Sequence, residues 1–179
     1  AQMLFPGNTG ELLGLSTEEI FSKWYATTLA HEVGHSLGLT HNFMGNTDKE
    51  NFLFDSEDED VNRNYSSIMD YIPDTHLNYN GPGPYDAHAL RAAYAGRIEL
   101  AIGLDVSLEQ YKAATIGKNG SWWDLNANHL NQVMPPRHYS YCTDMHVGGN
   151  PLCQRFDVGT SSAEIAKYNI EQYQQAYPI

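Results

Sequence analysis

The sequence has few basic residues and no long apolar run. Ten Lys and Arg stand against 22 Asp and Glu, which gives a formal net charge of −12. Because phosphate backbones and anionic lipids repel such a chain, we expect neither nucleic acid nor membrane as a partner. No run approaches the roughly 18–20 apolar residues that a helix needs to cross a bilayer. Hydrophobic residues still make up 41% of the chain, which is enough for a packed core.

The N-terminus lacks the features of a secretion signal. The stretch AQMLFPGNTG has no basic segment and no apolar core, and the chain does not begin with Met. We therefore expect a processed or excised piece of a longer precursor. With 179 residues and no internal repeat or low-complexity linker, the chain has room for one domain with an appendage.

Cysteine is also scarce. Only Cys142 and Cys153 are present, with ten residues between them, and the intervening stretch contains turn-forming glycine and proline. The CxxC spacing typical of structural zinc is missing, so the spacing favours a disulfide that closes this loop. The alternative is a second metal site that includes nearby His138 or His146. A disulfide would be stable only outside a reducing cytosol, and it predicts an extracytoplasmic protein, secreted or periplasmic.

Helix signals dominate the sequence and predict a mainly α-helical fold with long irregular loops. Ser16 and Glu19 form a capping box, and apolar residues at helical spacing follow, so we expect a helix from about 17 to 37. A second helix is expected over 87–101, directly after Asp86. A short helix is predicted to begin after Ser107, and a last helix after Ser161 through the stretch AEIAKYNIEQYQQAY.

A polar and acidic segment follows the first helix at residues 42–64. It includes the run DSEDED at 55–60. Such a run predicts a solvated loop. A calcium site is the alternative, because several hard oxygen ligands crowd together there.

The stretch HEVGHSLGLTH at residues 31–41 contains the candidate metal ligands and the candidate catalytic residue. On a helix, His31 and His35 lie four residues apart on one face and can bind one ion. Gly38 lets the chain leave the helix sharply, so that His41 returns as a third ligand. Three imidazoles leave a zinc ion one open position for water, whose pKa the metal lowers. Glu32 is placed to accept the proton of that water.

This stretch resembles a known family. HEVGHSLGLTH matches HExxHxxGxxH, the zinc motif of the metzincins. The clan also has a Met-turn beneath the metal, and Ser67–Tyr71 (SIMDY) is similar to it, with Met69 as the methionine. HNF after the third histidine, SSIMDY and GPYD look like large bacterial zinc-dependent metalloproteases. The resemblance covers about residues 16–97.

The resemblance implies two further features. A tyrosine two residues after the methionine approaches the zinc in astacin-like and serralysin-like metzincins, which implies an oxyanion-stabilising role for Tyr71. Metzincins also place a sheet before the active-site helix, but only some 15 residues precede the helix here. The fold expected is therefore the C-terminal subdomain of a zincin fold. We expect the missing sheet to come from an upstream portion of the same precursor.

Together these features predict a zinc-dependent metalloendopeptidase that hydrolyses protein or peptide substrates through a zinc-bound water activated by Glu32. Residues 1–97 are expected to form the catalytic region, and 98–179 a loop-rich extension packed on it. One alternative is a non-catalytic zinc-binding recognition module, or fragment, derived from a metzincin. Another is a gluzincin with a downstream Glu ligand, which Gly38 and His41 disfavour.

The other histidines have no ligand spacing relative to one another. We expect them to be ordinary surface or core residues. They are His76, His88, His129, His138 and His146.

Overall fold

The computed structural model describes residues 14, 16–52, 64–71, 81–101, 103–115 and 136–177, with backbone alone for 112–115. These residues form four helices, two 3-10 turns and one small sheet. The helices are α1 Thr17–Ser36, α2 Pro84–Ala95, α3 Leu108–Thr115 and α4 Ser162–Ala176. The 3-10 turns are Lys49–Asn51 and Asp144–His146. The sheet pairs β1 Arg97–Glu99 antiparallel with β2 Asp105–Ser107.

The mainly helical fold agrees with the expectation from sequence. No helix among the described residues is long and apolar enough to span a bilayer. The acidic run at 55–60, and with it the calcium alternative, lies outside the described residues, as do His76 and His129.

Helix α1 begins and ends where the sequence predicts. The Glu19 carboxylate accepts a hydrogen bond from the Ser16 amide at 2.7 Å, and the Ser16 hydroxyl accepts one from the Glu19 amide at 3.3 Å. Gly38 has φ of +92°, a left-handed conformation that turns the chain out of the helix. The Tyr94 hydroxyl donates to the carbonyl of Leu37 at 2.9 Å and so satisfies one of the free carbonyls at this helix end.

The second helix differs from the prediction at both ends. It begins at Pro84, because Gly83 is extended and proline favours the first helical position. Asp86 is therefore the third helical residue rather than the residue before the helix. The helix stops at Ala95, because Gly96 is left-handed with φ of +58°. Residues 97–99, predicted as helix, instead pair with 105–107 and gain strand hydrogen bonds.

Helix α1 packs against the buried turn at residues 65–70. A Cβ atom at Gly34 would lie 2.5 Å from the sulfur of Met69, so only glycine admits this close approach. Met69 is fully buried. This glycine in the last turn of α1 therefore has a packing reason that offsets its poor helix propensity.

The carboxylate of Asp86 holds this turn in place. It accepts hydrogen bonds from the Ser67 hydroxyl at 2.7 Å, the Ile68 amide at 2.8 Å and the Gly83 amide at 2.7 Å. Burial raises the pKa of Asp86, whereas these three donors act in the opposite direction. One buried side chain thus joins the start of α2 to the turn beneath α1.

The segment 136–157 packs against the residues that follow α1. Cys142 and Cys153 form a disulfide, as the loop spacing predicts, and their Cα atoms lie 6.0 Å apart. Both sulfurs are buried with Phe43 in one apolar cluster. The Phe43 amide donates to the Cys142 carbonyl at 2.8 Å, and the Cys142 amide donates to the Asn42 side chain at 3.1 Å.

One face of α1 remains in solvent. Five apolar side chains spaced four residues apart are between 41% and 57% exposed. They are Phe21, Tyr25, Leu29, Val33 and Leu37. Residues at this spacing form a slowly winding stripe along the helix. A contiguous apolar stripe of this kind is typical of an interaction surface.

We predict that Asp86→Asn lowers the free energy of unfolding by about 1–3 kcal/mol, the cost of leaving a buried donor without its acceptor. An amide offers one oxygen where the carboxylate offers two, so three donors cannot all be satisfied. Denaturant unfolding of the variant and the unchanged protein measures this loss of free energy. The slope of the free energy against denaturant concentration should be the same for both.

The matched control for this experiment is Glu171→Gln, because Glu171 is exposed on α4. Its unfolding should shift by no more than about 0.5 kcal/mol. If Asp86→Asn is as stable as the unchanged protein, the burial cost of the carboxylate outweighs its hydrogen bonds and the account of the turn is wrong.

Candidate metal centre

Three histidines converge at the C-terminal end of α1. His31 and His35 project from its last turns, and His41 returns from the chain beyond Gly38. One ring nitrogen from each lies within 4.8 Å of those of the other two. This is the set that the sequence motif predicts, and among the described residues no other group of three or more His, Cys, Asp or Glu side chains is placed this way.

The second ring nitrogen of each histidine is already engaged. His31 Nδ1 donates to the Ile68 carbonyl at 2.8 Å, and His35 Nδ1 donates to the Leu39 carbonyl at 2.9 Å. A carbonyl only accepts, so each of these Nδ1 atoms carries the proton. In the neutral form of each ring, Nε2 then carries the lone pair. Burial lowers the pKa of His31, which favours this neutral form.

His41 has a different kind of partner. Its Nδ1 lies 2.6 Å from a carboxylate oxygen of Asp144, in the loop closed by the disulfide. Asp144 also forms an ion pair with Arg155. The hydrogen bond with His41, reinforced by Arg155, holds the pKa of Asp144 below its usual value. Because an ionised carboxylate only accepts, His41 too has a proton on Nδ1, and in the neutral ring the lone pair lies on Nε2.

The geometry and donor set fit a zinc ion. Two ligands at about 2.0–2.1 Å from a tetrahedral zinc lie about 3.3–3.4 Å apart. The Nε2 atoms of His35 and His41 are 3.2 Å apart, and when both rings are neutral with the proton on Nδ1, neither Nε2 has a proton to donate to the other. His31 Nε2 is buried without a hydrogen-bond partner. A cation coordinated by all three nitrogens would satisfy each of them.

Glu32 lies beside this cluster but does not belong to it. It follows His31 on α1 and is exposed, and it is not among the converging residues. Its charge is close enough to act on His31 and on Tyr71, raising the pKa of both as a minor contribution beside burial. In the motif, the carboxylate at this place in the chain is the one predicted to act on the metal-bound water.

Tyr71 reaches the cluster as the resemblance implies. Its hydroxyl lies 2.7 Å from His41 Nε2 and donates to it when that ring is neutral with its proton on Nδ1. Its ring stacks on Phe156 with centroids 5.1 Å apart. Burial, followed by the nearby Asp144 carboxylate, raises the pKa of Tyr71, so the hydroxyl keeps its proton at neutral pH.

The remaining described histidines lie elsewhere. His88 packs against Tyr139, and the His146 ring accepts a hydrogen bond from the Thr143 amide at 3.2 Å. The alternative of a second metal site at the cysteines is wrong, because both sulfurs are consumed in the disulfide. Sequence reasoning did not find Asp144, which lies 103 residues from His41 and carries no local signal.

Comparison with curated proteins and with solved structures gives no match. A family model described as Met-zincin matches residues 16–178. The match includes the three converging histidines, Glu32 and the turn at Met69, and it extends through the disulfide loop and α4. The family match and the histidine cluster identify a zinc metallopeptidase-like domain. The chain belongs to the Met-zincin family.

Proposed function

We propose that this protein is a zinc-dependent metalloendopeptidase that hydrolyses protein or peptide substrates. One observation carries the proposal most directly. One ring nitrogen from each of three histidines lies within 4.8 Å of the other two, and the exposed carboxylate of Glu32 directly follows the first of these histidines on α1. Metal binding alone would need only the imidazoles. The added carboxylate is the group that peptide hydrolysis requires for proton transfer.

His31, His35 and His41 would hold the metal. Three neutral nitrogen ligands favour zinc and leave a coordination position open. A bound zinc ion would supply Lewis-acid chemistry, polarising the scissile carbonyl and lowering the pKa of the attacking water toward neutrality.

Glu32 acts as the general base and then as the general acid. Its carboxylate accepts a proton from the attacking water and returns that proton to the leaving amine. One group can serve both steps because peptide hydrolysis transfers the same proton twice. The exposure of Glu32 keeps it accessible to water and to substrate.

Tyr71 stabilises the oxyanion that develops on the substrate carbonyl. The lone pair of His41 Nε2 cannot accept the Tyr71 proton and bind a metal ion at the same time. Metal binding would therefore free the Tyr71 hydroxyl to donate elsewhere. Since the raised pKa of Tyr71 keeps it protonated, it can donate to an oxyanion at neutral pH.

The division of the chain and its location form part of the proposal. Residues 1–97 would carry the catalytic region, and 98–179 would form an extension packed on it. The hydrogen bonds of Asn42 and Phe43 to Cys142 support this packing. The buried disulfide supports an extracytoplasmic location, secreted or periplasmic.

We further propose that an upstream portion of the same precursor covers the exposed stripe on α1. Val33 belongs to the stripe and directly follows Glu32, so a strand lying there would border the catalytic carboxylate. A segment in that place could hold an extended substrate by strand pairing. The apolar character of the stripe supports a polypeptide partner rather than solvent.

The purified protein should contain about one zinc ion per chain, bound by the three histidines. His35→Ala removes one of three ligands and should lose most of the metal. Elemental analysis after dialysis against a weak chelator measures both. His88→Ala is the matched control, because His88 packs on Tyr139 away from the cluster. Equal zinc in the His35 and His88 variants would reject the ligand assignment.

Glu32→Gln should keep the zinc and lose nearly all hydrolysis. The amide is nearly isosteric but cannot accept the proton, and loss of a general base costs roughly 10²–10⁴ in rate. Cleavage of a quenched fluorescent peptide library by the zinc-loaded form, with the upstream portion if needed, measures the rate. Activity within a few-fold of the unchanged enzyme would contradict the mechanism.

Tyr71→Phe provides the second arm of this experiment. It should lower kcat with little change in KM, because the hydroxyl acts on charge that develops only in the transition state. A chain that binds zinc, includes its upstream portion and still cleaves no peptide would instead favour the non-catalytic zinc-binding module.

The partner proposal predicts that Leu29→Cys reacts more slowly with a thiol reagent when the upstream portion is present. The native cysteines are both in the disulfide and do not react. Tyr173→Cys, on the exposed face of α4, is the control and should react equally in both forms. If Leu29→Cys reacts at the same rate with and without the upstream portion, that portion does not cover the stripe.

A further inference from the structure

His41 is held differently from the other two histidines of the cluster. The Nδ1 partners of His31 and His35 are backbone carbonyls that come with α1 and the turn at 65–70. His41 lies beyond Gly38, outside the helix, and its Nδ1 partner is a side chain 103 residues away. Its orientation therefore depends in part on the segment 136–157, which lies far from α1 in the sequence.

The Asp144 carboxylate is itself held from several sides. One oxygen accepts from His41 at 2.6 Å, and the other pairs with the Arg155 guanidinium. That guanidinium lies over the Phe43 ring, 5.3 Å from its centroid. Asp144 follows Cys142 by two residues, within the loop that the disulfide closes. Both oxygens of the carboxylate are thus directed by neighbours that are fixed on the core.

We propose that Asp144 is a positioning residue for the third metal ligand, and that the disulfide loop serves to place it. The inference rests on the proposed zinc site. Asp144 keeps the His41 proton on Nδ1, so that the lone pair is on Nε2, where it faces the other two histidines. A carboxylate in this place also makes the imidazole a stronger ligand.

This role explains why the extension contributes to the site. Without Asp144, His41 could adopt either tautomer and rotate about its side-chain bonds, because the chain after Gly38 has no helical frame. Removing such an outer partner typically weakens metal affinity about 10–100-fold. The competing interpretation is an exposed ion pair between a protonated His41 and Asp144, which would contribute nothing to metal binding.

The test compares Asp144→Ala and Asp144→Asn with the unchanged protein. Zinc affinity is measured by competition with a chromophoric chelator, and stability by unfolding of the zinc-free forms. Asp144→Ala should bind zinc about 10–100-fold more weakly. The zinc affinity of Asp144→Asn should fall between those of Asp144→Ala and the unchanged protein. Its amide oxygen still accepts from His41 Nδ1 but carries no charge. The zinc-free forms should unfold alike, since Asp144 is exposed.

Asp105→Asn is the matched control. Asp105 also pairs with an arginine, Arg97, but on β2 rather than at the cluster. Its zinc affinity should equal that of the unchanged protein. Nitrogen NMR of the histidine rings gives an independent readout, because the His41 proton should leave Nδ1 in part of the Asp144→Ala population.

Each outcome separates this inference from the function on which it rests. If the unchanged protein binds zinc, His41→Ala weakens binding and Asp144→Ala does not, the positioning role is wrong while the zinc site stands. If the zinc-free Asp144 variants lose stability in proportion to their loss of affinity, the role is structural and the inference is overturned. If the unchanged protein binds no zinc, both the proposed function and this inference are wrong.

Discussion

The convergence of three imidazole lone pairs is the constraint on which the rest of the structure depends. The Nε2 atoms of His35 and His41 lie 3.2 Å apart, and in the neutral rings protonated on Nδ1 their lone pairs repel one another unless a cation lies between them. Each ring can present its lone pair only if an acceptor holds the proton on its other nitrogen. The three acceptors come from three places: the buried turn, the end of α1 and the disulfide loop. The fold brings these three places together.

At the buried turn, a few interactions are enough to place the acceptor for His31. The Ile68 carbonyl faces His31 while the Ile68 amide is bound by Asp86, so both sides of one peptide segment are fixed. Gly34 then lets the Met69 sulfur lie against the helix at a distance that any side chain would prevent. Asp86 and Gly34 act on the site by fixing this turn, whose Ile68 carbonyl accepts from His31.

What could be predicted from sequence is what local spacing determines. The interval between His31 and His35, the left-handed Gly38 and the Ser16 capping box each act within a few residues, and helix α1 and the histidine cluster follow from them. The end of α2 could not be predicted, because residues 97–99 form a strand only by pairing with residues 105–107 in the folded chain. Asp144 could not be found either, since its partner lies 103 residues away and the contact exists only in the folded chain.

The central claim is that the three Nε2 atoms bind one zinc ion. Anomalous scattering at the zinc absorption edge, recorded from crystals of the zinc-loaded protein, tests it most directly. The account predicts one peak about 2.0–2.1 Å from the Nε2 atoms of His31, His35 and His41. A zinc peak bound by other side chains, or no peak at this cluster in crystals grown with zinc, would contradict it.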